Sequence, residues 1–169
     1  MDFTEHIITY YSTESKHGFS GGLALGIVLL IAAVLFWWFS NPSSISKGLS
    51  ITLLVGALIF GLGGFYAGYT AKNILPEKTV SYLHNQKQFI EKEHIKIENI
   101  HKSWWIIRVF WTLFILVGLI IIFTTTRHFY LGIAIGFLVV GTIGHIEEII
   151  SYQHNEKYRC EVLKVKSSL

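Results

Sequence analysis

The runs without a formal charge decide what this chain can fold into. Residues 17–46 contain no Asp, Glu, Lys or Arg, and residues 48–71 contain none either. An α-helix crosses a bilayer with about 20 predominantly apolar residues. Hydrocarbon offers no partner for a free backbone N–H or C=O, so the spanning segments must be helices or a closed barrel. The first apolar run ends at Ser40-Asn41-Pro42, a turn-forming sequence. A third run begins near Trp104 and ends near Phe123, with Arg108 one turn inside it. There a long cationic side chain reaches the interface by snorkelling. A fourth begins near Phe129, and its uncharged part to Gly144 is too short to cross alone, so the helix must continue through residues 145–150. The expected fold is therefore all-α and polytopic. Its four transmembrane helices, approximately 18–40, 48–72, 104–125 and 128–150, form two hairpins in one membrane domain over 1–169.

Composition agrees. Of 169 residues, 51% are hydrophobic and 15% charged, whereas a water-soluble domain carries about 25% charge. Disorder is excluded by the same numbers. Cys160 is the single cysteine, which rules out an internal disulfide framework and a multi-cysteine metal cluster.

Four spans put both termini and the connector between spans two and three on one side. Of the 14 Lys and Arg, only Lys47 and Arg127 fall on the other side, and all 11 acidic residues share the crowded side. The positive-inside rule makes that side cytoplasmic. Its balance of signs argues against nucleic acid as a partner. No cleavable leader is expected, because Asp2, Glu5 and Glu14 precede the first span without a basic segment. Residues 3–11, with Phe3, Ile7, Ile8, Tyr10 and Tyr11, read as a short interfacial helix. Trp37-Trp38 and Trp104-Trp105 fit the aromatic belts at opposite interfaces.

Glycine recurs at four-residue spacing in the spans: Gly18, Gly22 and Gly26, then Gly64 and Gly68, then Gly132 and Gly136. Such grooves let backbones approach. They serve either close packing within one bundle or a seam between copies of the chain.

Residues 77–103 read as an amphipathic cytoplasmic helix begun by Pro76, with Leu83, Ile90, Ile97, Ile100 and Trp104 on its apolar face. Beside that face run Glu91, His94, Glu98 and His101, at spacings of three, four and three. Glu-x-x-His is the ligand unit of di-iron carboxylate bundles. His145 and Glu148 at the inner end of span four offer a second set, and together the six would suit Fe, Mn or Zn. The alternative is a solvated helix face on which neighbouring lysines pair with the carboxylates. Arg108 lies at about the depth of Glu147 and Glu148, so a membrane-edge ion pair with one of them is expected. The residues from 151 to 169 read as a C-terminal tail.

The run from Asn41-Pro42 to Lys47-Gly48 leads into a glycine-rich second span, and the charged stretch Glu91 to Lys102 into Trp104-Trp105 and a second hairpin. In this layout the chain resembles small four-span bacterial inner-membrane proteins of uncharacterised function. It is also similar in size and span number to the membrane-bound immunity proteins that protect bacteriocin producers. The resemblance implies action by helix–helix contact in the bilayer and supplies no catalytic residues. The expected function is accordingly non-enzymatic: binding a membrane protein partner, as an immunity-type inhibitor or accessory subunit. A small homo-oligomeric channel or transporter and a metalloprotein using the Glu/His cluster are the alternatives.

Overall fold

The computed structural model describes residues 3–42 and 44–168. Asp2, counted above against a leader, Ser43 of the first loop and Leu169 of the tail lie outside the described residues, as does Met1. All regular structure among the described residues is helical: α1 (Phe3–Lys16), a π-helical segment (His17–Leu23), α2 (Ala24–Trp38), α3 (Ile45–His84), α4 (Gln86–Thr124) and α5 (His128–Ser168). With α1, the π segment and α2 taken as one path, four helices are long and apolar enough to cross a membrane.

Their length is the first finding that sequence patterning understated. These helices run 36 to 41 residues, about 55–60 Å at 1.5 Å per residue. The hydrocarbon of a bilayer is about 30 Å thick. Roughly half of each helix therefore lies beyond the apolar part, and those halves gather at one end. Three expectations are corrected here. Residues 3–11 are not a separate surface helix: Phe3, Ile7, Tyr10 and Tyr11 are buried in the bundle. Residues 77–103 are not one connector helix. Pro76 lies inside α3, the helix runs on to His84, and the break comes at Asn85. The tail continues α5 to Ser168.

Asn85 explains the second correction. Its backbone is extended (φ −152°, ψ 91°) and its side chain accepts a hydrogen bond from Gln88 N–H, capping α4. One residue thus reverses the chain, and Tyr82 packs edge-on against Phe89 across the corner. Helical phase does not carry through such a break. Ile90 and Ile97 are fully buried, while Leu83, expected on the same face, is 66% exposed on α3.

In the apolar half, α3 is the spine. On one side it meets the π segment and α2 through glycine: a Cβ on Gly22 would lie 2.6 Å from Gly64 Cα, one on Gly26 2.5 Å from Gly61 N, and one on Gly18 would strike the Gly68 backbone. On another side it meets α5. A Cβ on Gly136 would lie 2.5 Å from Thr52 Cβ, and Gly48 and Gly132 leave room for Phe129 and Ile45 carbonyls. The glycine spacings therefore serve close packing within this chain. α4 packs chiefly along α5. A side-chain cluster of Leu29, Leu53, Phe60, Trp111 and Val140 ties all four helices, with Phe60 stacked on Trp111 at 5.3 Å. The outward faces are apolar: Ile27, Leu58, Leu62, Leu113 and Ile120 are all at least half exposed, as lipid-facing positions should be.

Added side-chain atoms should hurt where backbones touch and not where space is open. Gly64→Ala would place its methyl against the Gly22 backbone, while a methyl at Gly63 would meet nothing within 4 Å. Thermal unfolding in detergent should show Gly64→Ala destabilised by about 1–3 kcal/mol. Gly63→Ala should be neutral or gain up to about 1 kcal/mol from helix propensity. Equal effects would sink the packing scheme.

Candidate functional site

The charged end of the bundle has its own core. Each helix supplies a seam at three- and four-residue spacing: Phe3, Ile7, Tyr10 and Tyr11 from α1, Ala71 and Tyr82 from α3, Phe89, Ile90 and Ile97 from α4, Tyr158 and Val162 from α5. Glu93 occupies the same phase as Ile90 and Ile97 and is 1% exposed. A buried carboxylate is tolerated only when paired and hydrogen-bonded. Lys78 Nζ donates to Glu93 Oε2 at 2.6 Å, and Tyr11 Oη donates to Oε1 at 2.6 Å. Lys96 Nζ in turn donates to Tyr11 Oη at 2.8 Å and stands 3.9 Å from Glu93. Burial, and next the Glu93 charge, push the Tyr11 and Tyr158 phenols far above their ordinary range. They act as neutral donors and packing rings. Burial lowers the Lys96 ammonium, opposed by Glu93.

Beside this network, Tyr10 stacks on Tyr158 at 4.0 Å and on His154 at 5.0 Å. Asn155 Nδ2 donates to Tyr10 Oη at 3.1 Å, but Asn155 Oδ1, in a residue 4% exposed, accepts no hydrogen bond. A cleft of about 570 Å³ opens between α1, α4 and α5, lined by Tyr10, Glu14, Asn99, Ile100, Ser103, Trp104, Ile107, Ser151 and Asn155. Burial raises the Glu14 carboxyl, with His154, His17 and Lys96 opposing. The nearest of these, His154 Nε2, stands 3.8 Å from Glu14 Oε1. Trp104 Nε1 is buried without a hydrogen-bond partner.

Arg108 and Glu148 form an ion pair. Arg108 donates to Glu148 Oε1 from Nη2 at 2.8 Å and from Nε at 3.2 Å, and the Glu148 side chain is fully buried. Glu147 faces elsewhere, 3.0 Å from His17 Nε2 on the π segment.

The six residues considered as a metal set are not brought together. Glu98 pairs with Arg159 at 2.6 Å, and His101 lies 3.3 Å from Glu156. His145 Nδ1 lies 3.4 Å from Glu148, whose other oxygen holds Arg108. Glu91 is exposed, and His94 Nδ1 is buried without a partner. Among the described residues, no three His, Cys, Asp or Glu side chains form a group able to hold a metal ion. The stripe is cross-braced instead by α5, whose tail provides Glu156 and Arg159.

Sequence reading named Glu91, His94, Glu98 and His101 and passed over Glu93, the one acidic residue of this stretch inside the core. The signal was available: Glu93 stands three after Ile90 and four before Ile97, a polar residue at an apolar position. No family model, no curated protein and no solved structure matches the chain.

Two outcomes follow from this geometry. Lys78→Met strands the Glu93 carboxylate and should cost about 3–5 kcal/mol. Adding Glu93→Gln, which removes the charge but keeps an acceptor for Tyr11, should restore at least half, read by denaturant unfolding in detergent. Additive losses would contradict the pairing. The pH dependence has two opposed parts. The Glu98 carboxyl is held low by the hydrogen bond from Arg159. Its contribution is present above about pH 4 and lost as pH falls through the lowered folded value. Glu14 is raised, so its folded form prefers the proton, and stability declines as pH climbs from about 4 through the folded value. Glu14→Gln should therefore raise the melting temperature at neutral pH and leave it unchanged at pH 4.

Proposed function

We propose that this chain is a bacterial inner-membrane protein with cytoplasmic termini that acts, without catalysis, by binding another membrane protein. In this reading the apolar halves are two transmembrane hairpins, and the charged halves form a bundle standing about 25–30 Å into the cytoplasm. The supporting observation is how the apolar half is filled. Val140 and Ala134 at its centre are fully buried, and the glycine seams are closed by the chain's own backbones. A conduction path needs a polar or water-filled file; here the interior is side chains packed on Trp111 and Phe60. This weighs against the channel reading, and the dispersal of the Glu/His set into separate ion pairs weighs against the metalloprotein.

What remains for function is the outward surface. α4 is the least enclosed of the four, with 11% of its most apolar stretch buried. It presents large residues on several sides, including Phe110, Leu113, Leu116, Ile120 and Phe123. A partner's transmembrane helix laid on this face would gain packing and no hydrophobic transfer. The role is that of an immunity-type inhibitor or accessory subunit. Photo-crosslinking residues at Leu113, Leu116 and Ile120 should give one discrete protein adduct in native membranes. The same probe at Val28 and Ile31 on α2 should give none. Uniform lipid-only labelling, together with ion flux from reconstituted liposomes, would overturn the reading in favour of a channel.

A further inference from the structure

The cleft between α1, α4 and α5 lies where all three helices change character. Glu14 sits three residues before the charge-free run, Trp104 opens the apolar stretch of α4, and Ser151 follows Ile149-Ile150 on α5. This is the level of lipid headgroups if the apolar half spans a bilayer. The cleft is lined by polar and apolar side chains together. Asn155 Oδ1 accepts nothing although its residue is 4% exposed, and the nearest cationic group to Glu14 Oε1, His154 Nε2, stands 3.8 Å away, beyond hydrogen-bond distance. Ser151 lines the cleft as well. α4 contributes Ile107 and the Trp104 ring together with Asn99 and Ser103, and no Lys or Arg is among the lining residues. An anion would find one free donor, Trp104 Nε1, but no Lys or Arg in the lining, and it would share the cleft with the Glu14 carboxyl. A quaternary ammonium would bring charge but no N–H for the Asn155 carbonyl. A primary ammonium brings charge and three donors, and its apolar part would cover Trp104 and Ile107, with cation–π attraction from the indole.

We propose that this cleft binds an amphiphilic primary amine, its ammonium held by Glu14 and Asn155. The headgroup of phosphatidylethanolamine and a free long-chain alkylamine share this chemistry. Glu14 is consistent with such a role: burial raises its carboxyl, so its charge is costly in the empty fold, and a bound cation would offset that cost. Selection between headgroups rests on the membrane placement proposed above, and amine binding itself does not.

The test uses the full chain, delipidated in detergent and reloaded. Native mass spectrometry would count dioleoyl phosphatidylethanolamine, phosphatidylcholine and phosphatidylglycerol retained from equimolar mixed micelles. Dodecylamine binding would be titrated separately in detergent. One phosphatidylethanolamine per chain, retained over the other two and weakened roughly tenfold by Glu14→Gln, is the expected result. Glu14→Gln should not melt lower than the parent, which separates lost binding from lost folding. Dodecylamine bound in a Glu14-dependent way, without lipid preference, supports the site and assigns it to a free amine. That outcome, in a chain that fails to enter the membrane fraction, would sink the membrane placement and leave the site standing. Equal retention of the three lipids, or preference for phosphatidylglycerol, with dodecylamine binding unaffected by Glu14→Gln, overturns the proposal. Should Glu14→Gln not fold, Ser103→Phe at the exposed mouth of the cleft must lower amine binding at least as much, and its failure to do so is equally fatal.

Discussion

At its glycines this molecule brings backbone against backbone, and most of these approaches converge on α3. Gly61, Gly64 and Gly68 receive the π segment and α2, while Gly48 receives α5 at the opposite end of the apolar half. In water, burial of apolar surface would draw the helices together. In lipid it contributes nothing, because tails are as apolar as leucine. What remains is dispersion, which falls away over fractions of an ångström. Glycine makes the contact intimate enough to count, and it must then be distributed on more than one face of the same helix. α3 carries it in that way, so α2 and α5 are positioned by it, and α4 is positioned in turn by α5.

Beyond the apolar half the physics changes while the helices do not. Water restores the hydrophobic effect, and the seams of Phe3, Ile90, Ile97 and Val162 close a conventional core. Into that core the fold places Glu93 with Tyr11 and Lys78. Such a buried pair adds little net stability relative to a hydrophobic replacement. It does fix which rotation of each helix is permitted, since the carboxylate has good partners in one arrangement only. Three helices are locked in register by one side chain.

How much of this was legible follows the same division. The four apolar segments were readable from the charge-free runs, and the Arg108–Glu148 pair from matched depth along two helices. The glycine spacing was visible as well, though not which surfaces it would join, because neighbours in space are not written into a single helix's period. The continuation of every helix past its apolar segment is not legible in the same way. Polar residues there look like a loop or a tail unless four weak seams are seen together, and each alone carries only a few apolar positions. A proline at position 76 reads as a helix start, yet α3 runs through Pro76, with Ile74 and Leu75 just before it packed against the core. Asn85, an ordinary residue in an apparently continuous pattern, is the true boundary. Of the Glu/His stripe, Glu98 meets Arg159 and His101 meets Glu156, both on α5, which no local pattern could announce.

The π segment has one consequence for how the chain keeps time with itself. At about 100° per residue, the buried positions of α1 (Phe3, Ile7, Tyr10, Tyr11) and those of α2 (Gly26, Leu29, Ala33) point in directions roughly 90° apart on an unbroken α-helix. That is close to the angular step of a single residue. The wide turns of His17–Leu23 absorb the surplus, so that both halves turn inward. The first helix is thus written in two reading phases, one for the aqueous core and one for the lipid, and three glycines serve as the slip joint between them. Loss of one residue within that joint would merge the phases, whereas loss of one on either side would turn half a helix away from its partners.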